Sequence, residues 1–109
     1  MLPIKQSPVL DALGNATRRE ILGMLAESPL AVGAIARRLP VSRPAVSKHL
    51  RILQQAELVA FERAGNRNIF RLQPTGFDRA RDWLDRFWDD ALTRFKLVAE
   101  NTAPEGSHG

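Results

Sequence analysis

Cysteine is absent from the 109 residues, which excludes disulfides, thiol-based redox sensing and thiolate metal sites. Histidine occurs only twice, as His49 and His108, so the imidazole donors that borderline metals prefer are scarce as well. The chain has no Gly-rich phosphate-cradling loop and no His-Glu-x-x-His motif. It offers no convergent set of nucleophile, base and stabiliser, so neither an enzyme nor a bound cofactor is expected. No apolar run is long enough to span a bilayer, and the start Met1-Leu2-Pro3-Ile4-Lys5 has no signal-peptide pattern. Together with the missing disulfides, this points to a cytoplasmic protein with no membrane partner. A chain of this length supports one domain with one modest core, and partner-assisted burial would help it.

What the chain does have is positive charge in one place. The net charge is +4, but residues 17–71 carry ten Lys/Arg against four acids, whereas residues 72–109 carry five against seven. A cationic middle and an acidic C-terminal third suit a protein that releases counterions from nucleic acid through its middle segment. The sequence shows no stacking platform of exposed aromatics, so RNA binding is not expected.

Within it, Ser42 to Leu53 has the pattern of a capped amphipathic helix. Ser42 is a natural N-cap, and Pro44 is tolerated in the first turn, where amides lack helical partners. Val46, Leu50 and Leu53 fall on one stripe. Pro44, Ser47, Lys48, Arg51 and Gln55 fall on the other, a face suited to a DNA major groove. Upstream, Val32 to Leu39 has helical apolar spacing and stops at Pro40, leaving Pro40-Val41-Ser42 as the link between the two helices. That is a helix-turn-helix. Downstream, Leu58–Arg63 and Arg67–Leu72 are extended runs joined by Ala64-Gly65-Asn66, a turn able to supply positive φ. The spacing predicts a two-stranded β-hairpin wing with Arg63 and Arg67 at its tip.

These residues resemble the ArsR (arsenical-resistance-repressor) family of winged-helix regulators. The resemblance runs from about Val9 to about Ala99. It rests on Leu13-Gly14-Asn15-Ala16-Thr17-Arg18-Arg19-Glu20-Ile21-Leu22, on Ser42 to Leu53, and on Ala56-Glu57-Leu58-Val59 leading into the wing. It implies a homodimer that binds double-stranded DNA at palindromic operators and represses transcription until an effector releases it. His49 stands at the family's recognition-helix histidine, where a packed structural role or a phosphate contact is expected. The resulting DNA-binding set is Ser42, Arg43, Pro44, Ser47, Lys48, His49, Arg51, Arg63 and Arg67. The family's metal sites use cysteines before the recognition helix, or Asp and His in the last helix. The chain has no cysteine for the first and no histidine in that helix for the second, so no metal site is expected and the metal-independent branch fits better. The effector, the operator and the choice between repressor and activator stay open.

The remaining segments complete a mainly α fold of about five helices. Val9 to Leu13 forms a short first helix ending at Gly14-Asn15. A second helix, capped by Asn15 or Thr17, carries Ile21, Leu22 and Leu25 and ends at Ser28-Pro29. Pro74-Thr75-Gly76 introduces a long last helix, roughly 77–100. Its apolar residues Phe77, Ala80, Leu84, Phe87, Trp88, Ala91, Phe95 and Val98 recur at three- and four-residue intervals. A small core cannot cover so many aromatics on one terminal helix, so Leu84, Phe87, Trp88, Ala91 and Phe95, with Leu10 of the first helix, are expected to form a dimer interface. Asp78, Asp82, Asp85 and Asp89 share a face of the same helix and have the pattern of a solvated charged surface; a carboxylate-only metal sensor is the alternative. A winged-helix interaction module without DNA binding is a second alternative, which the retained cations argue against. Residues 1–7 read as an N-terminal extension, 8–101 as the domain with its dimerisation helix, and 102–109 as a small, polar, disordered tail.

Overall fold

A computed structural model describes residues 7–102, so His108 and the expectations for residues 1–6 and 103–109 lie outside the described residues. Five helices and three strands follow in the order α1 (Pro8–Leu13), α2 (Ala16–Glu27), β1 (Leu30–Ala31), α3 (Val32–Arg37), α4 (Arg43–Gln55), β2 (Val59–Ala64), β3 (Arg67–Leu72) and α5 (Pro74–Thr102). The starts of α1, α2 and α4 are set by side-chain caps. Ser7 accepts from the Leu10 amide, Asn15 from Arg18 at 3.0 Å and Ser42 from Ala45 at 3.3 Å. Each satisfies an amide that the first turn leaves without a partner. Asn15, not Thr17, is thus the cap of α2, and Ser7 belongs to the folded unit.

The core forms where α2, α3 and α4 meet the root of the sheet. Ile21, Ile35, Val46, Leu50, Leu53, Leu58 and Val59 are its largest fully buried side chains. Burying one Leu or Ile side chain is worth about 1.5–3 kcal/mol. No polar or charged residue among those described is buried with them. Helix α3 stops at Arg37 rather than at Leu39 because Arg38 and Leu39 bond back three residues, to Ile35 and Ala36. That tighter turn swings Leu39 into the core.

Helix α4 ends in a Schellman motif: the Leu58 amide bonds the Leu53 carbonyl, and the Glu57 amide bonds that of Gln54. Glu57 stands at the left-handed position usually held by glycine, at φ 59°. Its carbonyl accepts the Gly76 amide at 2.7 Å, and its carboxylate pairs with Arg79. Helix α5 therefore docks directly on the end of α4. Gly76 is required there, since a Cβ would meet the backbone of Ala56 and Glu57 at under 3.0 Å. Consequently α5 starts at Pro74, earlier than periodicity suggested, with proline in the first turn where its fixed φ is favourable.

The sheet is antiparallel in the order β1-β3-β2. The hairpin has Phe61 opposite Phe70 and Ala64 opposite Arg67, leaving a two-residue turn in which Gly65 has φ 66°. The expected two-stranded wing gains a third strand: Leu30 and Ala31 pair with Phe70 and Ile69. Helix α2 ends at Glu27 with Ser28 and Pro29 following, and the next two residues run extended beside β3 before α3 begins. No helix among the described residues is long and apolar enough to cross a membrane.

Candidate nucleic-acid interface

Because Val46, Leu50 and Leu53 are pinned in the core, helical geometry turns Arg43, Pro44, Ser47, Lys48 and Arg51 outward, and all five are exposed. The wing then folds back beside them. Ser47, Leu50, Arg51 and Gln54 of α4 face Phe61, Asn68 and Phe70 across a cavity of about 230 Å³. Phe61 lies 5.2 Å, centroid to centroid, from Phe70 and stays 41% exposed on this side. Helix and wing thus make one continuous surface rather than two separate projections.

The wing cations sit at its tip. Arg63 curls over the turn, its Nε donating to the Gly65 carbonyl at 3.1 Å. Arg67 comes beside Arg43 and the helix-turn-helix residue Arg37 around a second cleft. Arg71, four residues along β3 from Arg67, is paired with Glu62 at 3.0 Å.

His49 differs from the other residues of the expected set in being half-buried. Its Nδ1 lies 3.4 Å from Arg18 Nη1. A guanidinium only donates, so Nδ1 accepts and the proton resides on Nε2. Burial pushes the imidazole below its ordinary value, and the charges of Arg18 and then Lys48 add to that. The same Arg18 donates from Nε to the Ala12 carbonyl at 2.8 Å and from Nη2 to that of Asp11 at 3.1 Å. Arg19 Nη1 bonds the Leu13 carbonyl at 2.8 Å. The two arginines that opened the cationic segment therefore close the C-terminus of α1.

Sequence reasoning missed Gln54, Phe61 and Asn68 as lining residues. Gln54 had a signal, standing three residues after Arg51 and seven after Ser47 on the same face. The other two depend on how far the hairpin leans, which no local pattern records.

On α5, Leu84, Phe87, Trp88 and Phe95 are exposed, Phe95 at 72% and Trp88 at 60%. Ala91 and Leu10 are half-buried. Trp83 stacks on Phe87 at 5.3 Å, and its buried Nε1 has no hydrogen-bond partner among the described residues. Asp78, Asp82, Asp85 and Asp89 are exposed along the same helix. No three His, Cys, Asp or Glu side chains gather to hold a metal ion among the described residues.

Residues 13–60 match the helix-turn-helix domain family. The HTH-type transcriptional regulator Rv2034 of Mycobacterium tuberculosis is 55% identical over 90 residues, covering 83% of this chain and 84% of that protein. The transcriptional repressor SdpR of Bacillus subtilis is 34% identical, covering 72% of this chain and 88% of that one. A solution structure of a homodimeric winged helix-turn-helix DNA-binding domain from Mycobacterium bovis, described as a possible ArsR-family regulator, superposes with a TM-score of 0.60. It is 30% identical and covers 93% of this chain and 85% of that one. With the wing packed on the second helix of the helix-turn-helix and the recognition-helix pattern on its outer face, the chain belongs to the ArsR family of winged helix-turn-helix transcriptional regulators.

Proposed function

We propose that this protein is a homodimeric repressor that binds a pseudo-palindromic operator in double-stranded DNA. One observation carries the reading: Ser47 and Arg51 of α4 line one cavity with the wing, Arg43 and Arg67 line a second cleft that shares Val32 and Asn68 with it, and Lys48 and Arg63 are exposed. Helix α4 enters the major groove, where Arg51 suits guanine O6/N7 and Ser47 and Lys48 meet base edges or flanking phosphates. Arg63 and Arg67 contact the backbone or a narrow minor groove alongside. Ser42, Arg43 and Pro44 bring the start of the helix to the phosphates. His49 stays neutral and fixes the helix from behind, its Nε2–H left available to a phosphate.

The exposed apolar face of α5, with Leu10 of α1, pairs with its symmetry mate. This sets two recognition helices about one helical turn apart, roughly 34 Å. The homodimeric state of the Mycobacterium bovis domain and the repressor activity of the Bacillus relative support both halves of the reading. Repression follows from occluding the promoter.

Genome-wide footprinting of the bound sites tests it. The expected result is a shared motif of two inverted half-sites whose centres lie about 10 bp apart. Binding without any common motif, or at single half-sites only, contradicts it.

A further inference from the structure

The second cleft lies where α3, the first residue of α4 and the wing tip converge, and it encloses about 300 Å³. It is lined by three arginines, Arg37, Arg43 and Arg67, together with Asn66 and Asn68, and by no Asp or Glu. None of the three arginines has an ion pair or a side-chain hydrogen bond among the described residues. Two of them lean over one spot. The Nη1 atoms of Arg37 and Arg43 both lie 3.9 Å from where a Cβ would stand on Gly33, so neither is farther than twice that distance from the other. Like charges gathered without a counter-ion raise the energy of the free protein and are relieved when an anion enters. Guanidinium forks and side-chain amides match the oxygens of a phosphate, to which they donate in pairs.

Position selects the kind of phosphate. The cleft stands between the groove-facing side of α4 and the tip of the wing, and a duplex read by both must pass its sugar-phosphate strand between them. We propose that this cleft takes one backbone phosphodiester of the bound DNA, clamped by Arg37, Arg43 and Arg67. The inference rests on the DNA-binding reading above and adds to it a contact from α3, outside the recognition helix and the wing. A phosphodiester carries no sequence information, so the clamp adds affinity and register but no base preference.

Arg37 is the residue to change, because it is exposed and belongs to neither element already assigned to DNA. Arg37→Gln should weaken binding to a footprinted operator and to a random duplex by the same factor, about tenfold to a hundredfold at low salt. It should also lower the log–log salt slope by about 0.9. Arg37→Lys should keep that slope. Arg38→Gln, which removes the neighbouring exposed charge outside the cleft, should leave both quantities near wild type. Circular dichroism and thermal melting of each variant report whether the fold is kept. Equal losses in Arg37→Gln and Arg38→Gln would mean a diffuse field rather than a clamp, and would overturn the proposal. So would a wild type that binds operator while Arg37→Gln keeps its affinity and slope, which leaves the DNA-binding reading intact. Titration with inorganic phosphate separates the remaining source. A stoichiometric phosphate site lost in Arg37→Gln, beside an unchanged DNA slope, would assign the cleft to a free anion and overturn the strand contact. A wild type that binds no duplex overturns both readings together.

Discussion

Arg51 stands one turn after Ser47 on the exposed face of α4, lining the cavity shared with the wing, and has no carboxylate partner among the described residues. A bidentate Arg–base contact is worth about 1–3 kcal/mol of discrimination. Arg51→Ala should therefore weaken operator binding by that amount in a gel shift and leave the melting temperature unchanged. Wild-type operator affinity in this variant would contradict the role. His49 makes a prediction of a different kind. Its folded pKa is depressed, so the neutral form is the one the fold prefers. The associated stability is complete above the ordinary histidine value of about 6.5 and is lost as pH falls below it, because the unfolded chain then binds the proton more readily. Thermal melts at pH 7.5 and pH 5.5 should differ more for wild type than for His49→Gln, and equal differences would contradict the assignment. The exposed residues of the candidate site were legible because a 3.6-residue period assigns faces without any tertiary knowledge. Arg18 and Arg19 were not. They count as positive charge in the sequence, yet their guanidinium groups cap the carbonyls of α1. Only a turn between two helices brings those atoms together.

Replacing Arg63 and Arg67 together by Ala should weaken binding to many sequences alike and flatten the log–log salt dependence by about one to two units. An unchanged slope would mean that the wing does not touch DNA. Gly76 tests how α5 is seated. In an ordinary helix Gly→Ala gains up to about 1 kcal/mol, but here the added Cβ meets the carbonyls at the end of α4. Gly76→Ala should instead destabilise by about 1–3 kcal/mol in urea titration, and a raised midpoint would refute the docking. The helix-turn-helix, the hairpin and its turn were all readable, since each is a local pattern of period, cap and breaker. Strand β1 was not, because two residues are too few to alternate and their pairing with Ile69 and Phe70 is long-range. The start of α5 was misplaced for a similar reason. Pro74-Thr75-Gly76 has the composition of a loop, and only the close approach of Gly76 to Glu57 turns it into a first helical turn.

For the molecule as a whole, α5 projects from the domain to give a particle 69 × 23 × 23 Å in extent, with Leu84, Phe87, Trp88 and Phe95 exposed along it. Apolar surface on that scale marks an interface, and in the proposed function it joins two copies of this chain. In such a dimer each half-site adds its own phosphate contacts. Trp88→Glu or Leu84→Glu should yield monomers or unfolded chain. With no cysteine in the chain and no histidine in α5, zinc, cadmium, nickel and arsenite should not release the dimer from its operator; metal that binds stoichiometrically and lowers operator affinity would revive a sensor built on the α5 carboxylates. In the proposed function a dimer built on α5 reads DNA through α4 and the wing. Sedimentation of the protein with a footprinted operator duplex tests it most directly. The free protein should sediment as a dimer and the complex should hold two chains per duplex, both lost in a folded Trp88→Glu variant. A monomeric wild type that binds the duplex tightly as one chain would contradict it.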